Sequence, residues 1–166
     1  EPAPKKTPHK KFLIKSLPDN LESYSCDTLI QAYISTEPVI RVRQKNEDYI
    51  LTLKSVGLLA REEIEMPLTE ESFKHLLSKK DGISIKKKRY KIPDTPYLIE
   101  LDVFEGDYNG FCMAEVEFPD IDSANAYNAP AWFGPEVTMD SRFHNSSLSK
   151  RNPAEVQEFL ELIQKM

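Results

Sequence analysis

A chain of 166 residues, 40% hydrophobic and 30% charged, is sized for one domain with its own apolar core and leaves no room for a second full domain. Its longest apolar runs, such as Leu58 to Ala60, fall far short of the roughly 18–20 residues that cross a bilayer. Cys26 and Cys112 make neither a disulfide framework nor a metal knuckle, so a cytoplasmic protein with no membrane partner is expected. The net charge of −5 argues against general nucleic-acid binding but leaves room for a local basic pocket.

Residues 1–10, with Pro2, Pro4 and Pro8 among lysines, read as a lead-in or an altered first strand, and a single domain is expected over 11–166. From Phe12 the chain turns strand-like. Phe12 to Ile14, Val39 to Arg43, Tyr49 to Lys54, Glu62 to Met66, Lys87 to Ile92, Tyr97 to Phe104, Met113 to Phe118 and Pro135 to Thr138 are rich in β-branched and aromatic residues and mostly bounded by turn formers, which predicts eight strands. Thr69 caps a predicted helix to Lys80, with Phe73, Leu76 and Leu77 on one face. Asn152 followed by Pro153 opens a last helix in which Val156, Phe159, Leu160 and Ile163 share a stripe.

Side chains two apart on a strand share a face. By that rule Arg41 and Arg43 stand opposite Ile40 and Val42, Lys54 opposite Leu53, and Arg61, Glu63 and Glu65 opposite Ile64 and Met66. Lys87 and Arg89 share a face, as do Glu100 and Asp102, Glu115 and Glu117, and Glu136 and Thr138. An ordinary sheet with one wet face accounts for any single strand; it strains as an account of all of them, because solvation alone does not call for charges paired at i and i+2. A barrel closed with those faces inward would be lined by cations on one side and carboxylates on the other. Grouped arginines and lysines bind a polyanion, and grouped carboxylates repel one another unless a hard divalent cation joins them. Together they describe a site for a metal-bound chain of phosphates and for attack of water on a phosphoryl group. No Walker-type glycine loop, HExxH or GxSxG motif offers a competing chemistry. His75 reads as a surface residue, His144 as a loop hydrogen-bonder, and Trp132, Cys26 and Cys112 as packing residues.

Lys11 to Ile14, Ile40 to Arg43, Leu51 to Lys54, Arg61 to Glu65, Lys87 to Tyr90, Ile99 to Phe104, Ala114 to Phe118 and Phe133 to Thr138 resemble, in order, the strand motifs of the CYTH superfamily, the triphosphate tunnel metalloenzymes. The resemblance implies an α+β fold, an eight-stranded antiparallel closed β-barrel with flanking helices, that hydrolyses a small triphosphate-containing ligand with Mg²⁺ or Mn²⁺. It also implies the homodimer that family members often form. Lys11, Arg41, Arg43, Lys54, Arg61, Lys87 and Arg89 would hold phosphates. Glu115, Glu117 and Glu136 would hold metal, with His9 as a further candidate, and Glu63, Glu65, Glu100 and Asp102 would position water, metal or the basic residues. The first strand departs from the pattern: where the family carries Glu-x-Glu-x-Lys, this chain has Thr7, Pro8, His9, Lys10 and Lys11. Impaired catalysis is therefore expected. A non-catalytic nucleotide or polyphosphate-binding module is the alternative, and adenylate cyclase ranks third because no base pocket is recognisable.

Overall fold

In the computed structural model, which describes residues 7–55 and 62–166, the alternating segments pair into one antiparallel sheet of nine strands among the described residues. In chain order these are β1 (His9–Ile14), β2 (Ser25–Thr36), β3 (Val39–Lys45), β4 (Asp48–Lys54), β5 (Glu63–Pro67), β6 (Asp81–Asp94), β7 (Tyr97–Glu105), β8 (Cys112–Glu117) and β9 (Phe133–Glu136). They lie side by side as β5-β4-β3-β2-β6-β7-β8-β1-β9. Two expectations are corrected here. The strand count is nine because β2, a long strand between β3 and β6, was not anticipated. Nor does the ladder close: β5 and β9 are its two edges, and no pairing among the described residues joins them.

Four α-helices accompany the sheet among the described residues: α1 (Glu70–Leu77), α2 (Ile121–Ala126), α3 (Asn145–Lys150) and α4 (Pro153–Gln164). The Thr69 side chain accepts the Ser72 N–H, satisfying one of the free donors that every helix start leaves. Asn152 and Glu155 form a reciprocal capping box on α4, with Pro153 pre-setting its first turn. The two short helices α2 and α3 carry too little periodicity to be read from sequence. No helix among the described residues is long and apolar enough to cross a membrane.

The two sheet faces are covered differently. On the apolar face, α1 sets Phe73 against Ala32 and Val42, while Phe12, Ile99, Leu101, Ala114, Val116 and Phe118 pack under Phe133 and Ala124 of α2. Phe133 lies with its ring centre 4.8 Å from that of Phe12. The charged face is covered at one end. There Leu13, Ile85, Phe104 and Met113 meet Tyr108, Phe143, Leu148 of α3 and Val156 and Phe159 of α4. Gly82, at φ +79°, makes this approach feasible, because a Cβ on it would sit 2.0 Å from the Ser149 carbonyl oxygen of α3. The plug, held also by the Tyr108 hydroxyl donating to the Leu148 carbonyl at 2.6 Å, leaves the charged residues between itself and the far end of the strands.

Candidate phosphate-binding site

Register decides which charges meet. Arg89 on β6 stands opposite Asp102 on β7; Glu100 on β7 opposite Glu115 on β8; and Glu115 and Glu117 opposite Lys11 and His9 on β1. On the other side of β2, Arg43 stands opposite Gln31, Arg41 opposite Tyr33 and Thr52, and Lys54 opposite Glu63. Directly opposed residues of antiparallel strands point to the same side, so these groups share the charged face.

Asp102 is the pivot. Its side chain is nearly enclosed and takes Lys87 Nζ at 2.8 Å on Oδ2, Arg89 Nε at 2.8 Å on Oδ1 and Arg89 Nη2 at 3.0 Å on Oδ2. Burial alone would raise its pKa, but Lys87 and Arg89 outweigh that and hold the carboxyl below the usual carboxylate range. Lys87 is 1% exposed, donates to Asn145 Oδ1 at 3.4 Å and lies 5.2 Å from the centre of the Phe104 ring. Burial pushes its pKa down, and Asp102 counters part of that shift. Arg89 is half-buried, which by itself would lower its pKa, yet Asp102 and Glu100, the latter 3.0 Å from Nη1, keep it above the ordinary arginine value.

Arg41 and Arg43 are held differently. Arg43 donates from Nε and Nη2 to Gln31 Oε1, each at 3.4 Å, and Arg41 Nη2 reaches Thr52 Oγ1 at 3.5 Å. Among the described residues neither guanidinium has a carboxylate within ion-pair distance. Burial, then the neighbouring charges of Arg41 and Arg89, push the Arg43 pKa down. Two half-buried guanidiniums side by side without a carboxylate partner among the described residues can receive an anion.

At the β1–β8 end, the Thr7 hydroxyl donates to Glu117 Oε1, and His9 Nε2 lies 3.9 Å from Glu115 Oε1. Among the described residues no three histidine, cysteine, aspartate or glutamate side chains converge as a cage. Two carboxylates do fit a hard cation that keeps part of its water and takes further oxygens from a phosphate chain.

The other expected site residues divide. Lys54 and Lys11 lie on the charged face, Lys11 with its backbone N–H on Thr138 Oγ1 at 3.0 Å. Glu63 and Glu65 also face this way but stand exposed on the edge strand, at the other end of the strand order from Glu115 and Glu117. Glu136 pairs with Phe12, and its carboxylate takes Lys10 at 3.6 Å and the Thr138 hydroxyl at 2.7 Å. Arg61 lies outside the described residues. Cys26 is exposed rather than packed. Sequence reasoning missed Gln31 and Asn145. For Gln31 a signal existed in the β-branched and aromatic run Leu29 to Ile34.

The chain is 38% identical over 149 residues to an inorganic triphosphatase of Nitrosomonas europaea, covering 87% of this chain and 97% of that protein. It is 36% identical over 152 residues to an inorganic triphosphatase of Acetivibrio thermocellus, covering 87% and 92%. The crystal structure of the inorganic triphosphatase NE1496 superposes with a TM-score of 0.77 at 34% identity, over 89% of this chain and 97% of that one. Residues 24–151, spanning β2 through α3 and so all the cation-bearing strands but β1, match the CYTH domain, and the chain is a member of that family.

Proposed function

We propose that the chain hydrolyses inorganic triphosphate, or a similarly small linear triphosphate, with Mg²⁺ or Mn²⁺ and a turnover reduced by Thr7 and His9. The observation that carries this reading is the Arg41–Arg43 pair, half-buried without a carboxylate partner among the described residues beside the fixed Lys87–Asp102–Arg89 cluster. The two relatives named as inorganic triphosphatases support the substrate.

In this mechanism Arg41 and Arg43 take phosphoryl oxygens as forked donors, and Lys54 and Lys11 add positive potential around them. Asp102 is a positioning residue: it fixes Lys87 and Arg89 so that no reorganisation is needed as charge develops on the transferred group. Glu115 and Glu117 would hold the divalent cation, which supplies charge neutralisation on the phosphate oxygens when bound. Glu100, steered by Arg89, orients the attacking water and receives its proton. The water oxygen bonds to the terminal phosphorus, the bridging P–O bond breaks, and pyrophosphate departs with the bridging oxygen.

A second reading, a binding module without turnover, is favoured by one observation: a hydroxyl and an imidazole face Glu117 and Glu115 where the family pattern has two glutamates. Phosphate release from triphosphate, ATP and thiamine triphosphate, each with Mg²⁺ and with Mn²⁺, tests both. Release from triphosphate above the other two is expected. A triphosphate-induced thermal shift without release would establish the second reading, and neither shift nor release would overturn both.

A further inference from the structure

We infer that Gln31 is a phosphate-binding and positioning residue: its amide oxygen aims Arg43, and its amide nitrogen donates to the same phosphoryl oxygens that Arg41 and Arg43 hold. This rests on the reading that the charged face binds triphosphate.

Gln31 is fully buried at the centre of the sheet, opposite Arg43 on β3 and Ile85 on β6. Arginine offers only donors, so the atom that meets Arg43 Nε and Nη2 at 3.4 Å must be the amide oxygen. That leaves the Gln31 NH₂ group, which is buried and has no hydrogen-bond partner among the described residues. On the neighbouring strand Arg41 Nε is buried and unpartnered in the same way. Unmatched buried donors are uncommon and costly, and each one in a folded protein asks for an explanation. Both atoms here are donors and they flank one guanidinium, so the group that satisfies them is rich in acceptors and negatively charged. A phosphoryl group, with only acceptor oxygens, has that character.

The residue type fits the role. Asp102 holds Lys87 and Arg89 and cancels part of their charge, whereas Gln31 holds Arg43 and cancels none. A carboxylate in its place would orient the guanidinium more firmly and compete with the ligand for it.

The test compares wild type, Gln31→Glu, Gln31→Met, Arg41→Ala and Arg43→Ala by calorimetric titration with inorganic triphosphate, with thermal denaturation to verify folding. In ¹⁵N–¹H spectra of the wild type, the Gln31 side-chain amide pair is identified by its loss in Gln31→Glu. Gln31→Glu should fold and bind triphosphate at least about tenfold more weakly, Gln31→Met should lose several-fold, and the wild-type amide pair should shift on titration. Unchanged affinity in Gln31→Glu, or an amide pair that does not move while Arg41→Ala and Arg43→Ala lose affinity, would reduce Gln31 to a core residue. Unchanged affinity in both arginine variants would instead overturn the phosphate reading of the face. If Gln31→Met does not fold, the Glu variant and the wild-type spectrum decide.

Discussion

Asp102→Asn keeps the shape of the side chain and removes its charge, leaving Lys87 buried and Arg89 half-buried beside Arg41 and Arg43 with no enclosed anion. Breaking one partner of a buried ion pair costs about 3–5 kcal/mol. For a domain of this size that lowers Tm by roughly 6–20 °C, at about 2–4 °C per kcal/mol. The pH dependence is specific. The folded-state pKa of Asp102 is depressed, so its contribution is present above the unfolded aspartate value and is lost as pH falls through the folded one. The deficit of the variant should therefore shrink in acid, where the wild type also loses the charge. It should shrink again in alkali, because Lys87, whose pKa burial already lowers, can shed its proton there and leave fewer uncompensated charges. Thermal denaturation from acid to alkaline pH should give a difference that is largest near neutrality and narrows when triphosphate is added. A Tm within about 2 °C of wild type at pH 7, or a deficit flat with pH, would refute the assignment of Asp102 as the counter-charge of this cluster.

Replacing Thr7, Pro8 and His9 together, as Thr7→Glu, Pro8→Ile and His9→Glu, should raise Mg²⁺-dependent phosphate release by roughly 10–100-fold or more; a variant that binds triphosphate and Mg²⁺ yet releases nothing would favour the binding module. Burial, then Asp102, pushes the Cys112 thiol up to about 11, whereas Cys26 is exposed, so iodoacetamide at pH 8 should add one label to the native protein and two to the unfolded one. Mass spectrometry reads the count, and two labels on folded protein would contradict the raised thiol pKa of the half-buried Cys112. Asn152→Ala removes half of the capping box on α4 and should cost about 1 kcal/mol in chemical denaturation without changing triphosphate affinity.

Alternation along the strands was legible because one face is apolar and the other ionisable. Arg41 and Arg43, Lys87 and Arg89, and Glu115 and Glu117 fall on the same face as expected, and the register shows which of them meet. Strand β2 escaped because both of its faces bury apolar groups: Leu29 and Tyr33 on one side and Ala32 on the other give no polarity contrast. With β2 went Gln31, the neutral residue among the cations. The surroundings of Glu136 depend on register. It stands opposite Phe12, on the face that also carries Lys10, and alternation along one strand does not say which residues of the next strand it meets. The roles of the carboxylates were not separable by sequence at all, since only the distances show that Asp102 is saturated by two cations.

The departure at the first strand is a change of donors and not of backbone. β1 begins at His9, and the carbonyl of Pro8 still accepts the Phe118 N–H at 2.8 Å, so the proline costs the ladder only its own missing N–H at the strand start. Thr7 and His9 consequently face Glu117 and Glu115, as the two glutamates of the family pattern would at the same register. Four carboxylates crowded there would repel one another and lean on a cation for stability; two carboxylates opposed by a hydroxyl and an imidazole do not. The folded state of this chain should therefore be nearly indifferent to divalent metal when no triphosphate is present. Excess chelator is expected to shift Tm by less than about 2 °C, while the variant carrying Thr7→Glu and His9→Glu should gain a Tm that climbs with Mg²⁺ concentration, as mass action requires of an ion that binds only the folded form. A wild-type protein that loses more than about 4 °C to chelator would show that Glu115 and Glu117 already depend on a bound cation, and that the altered strand had not relaxed that dependence.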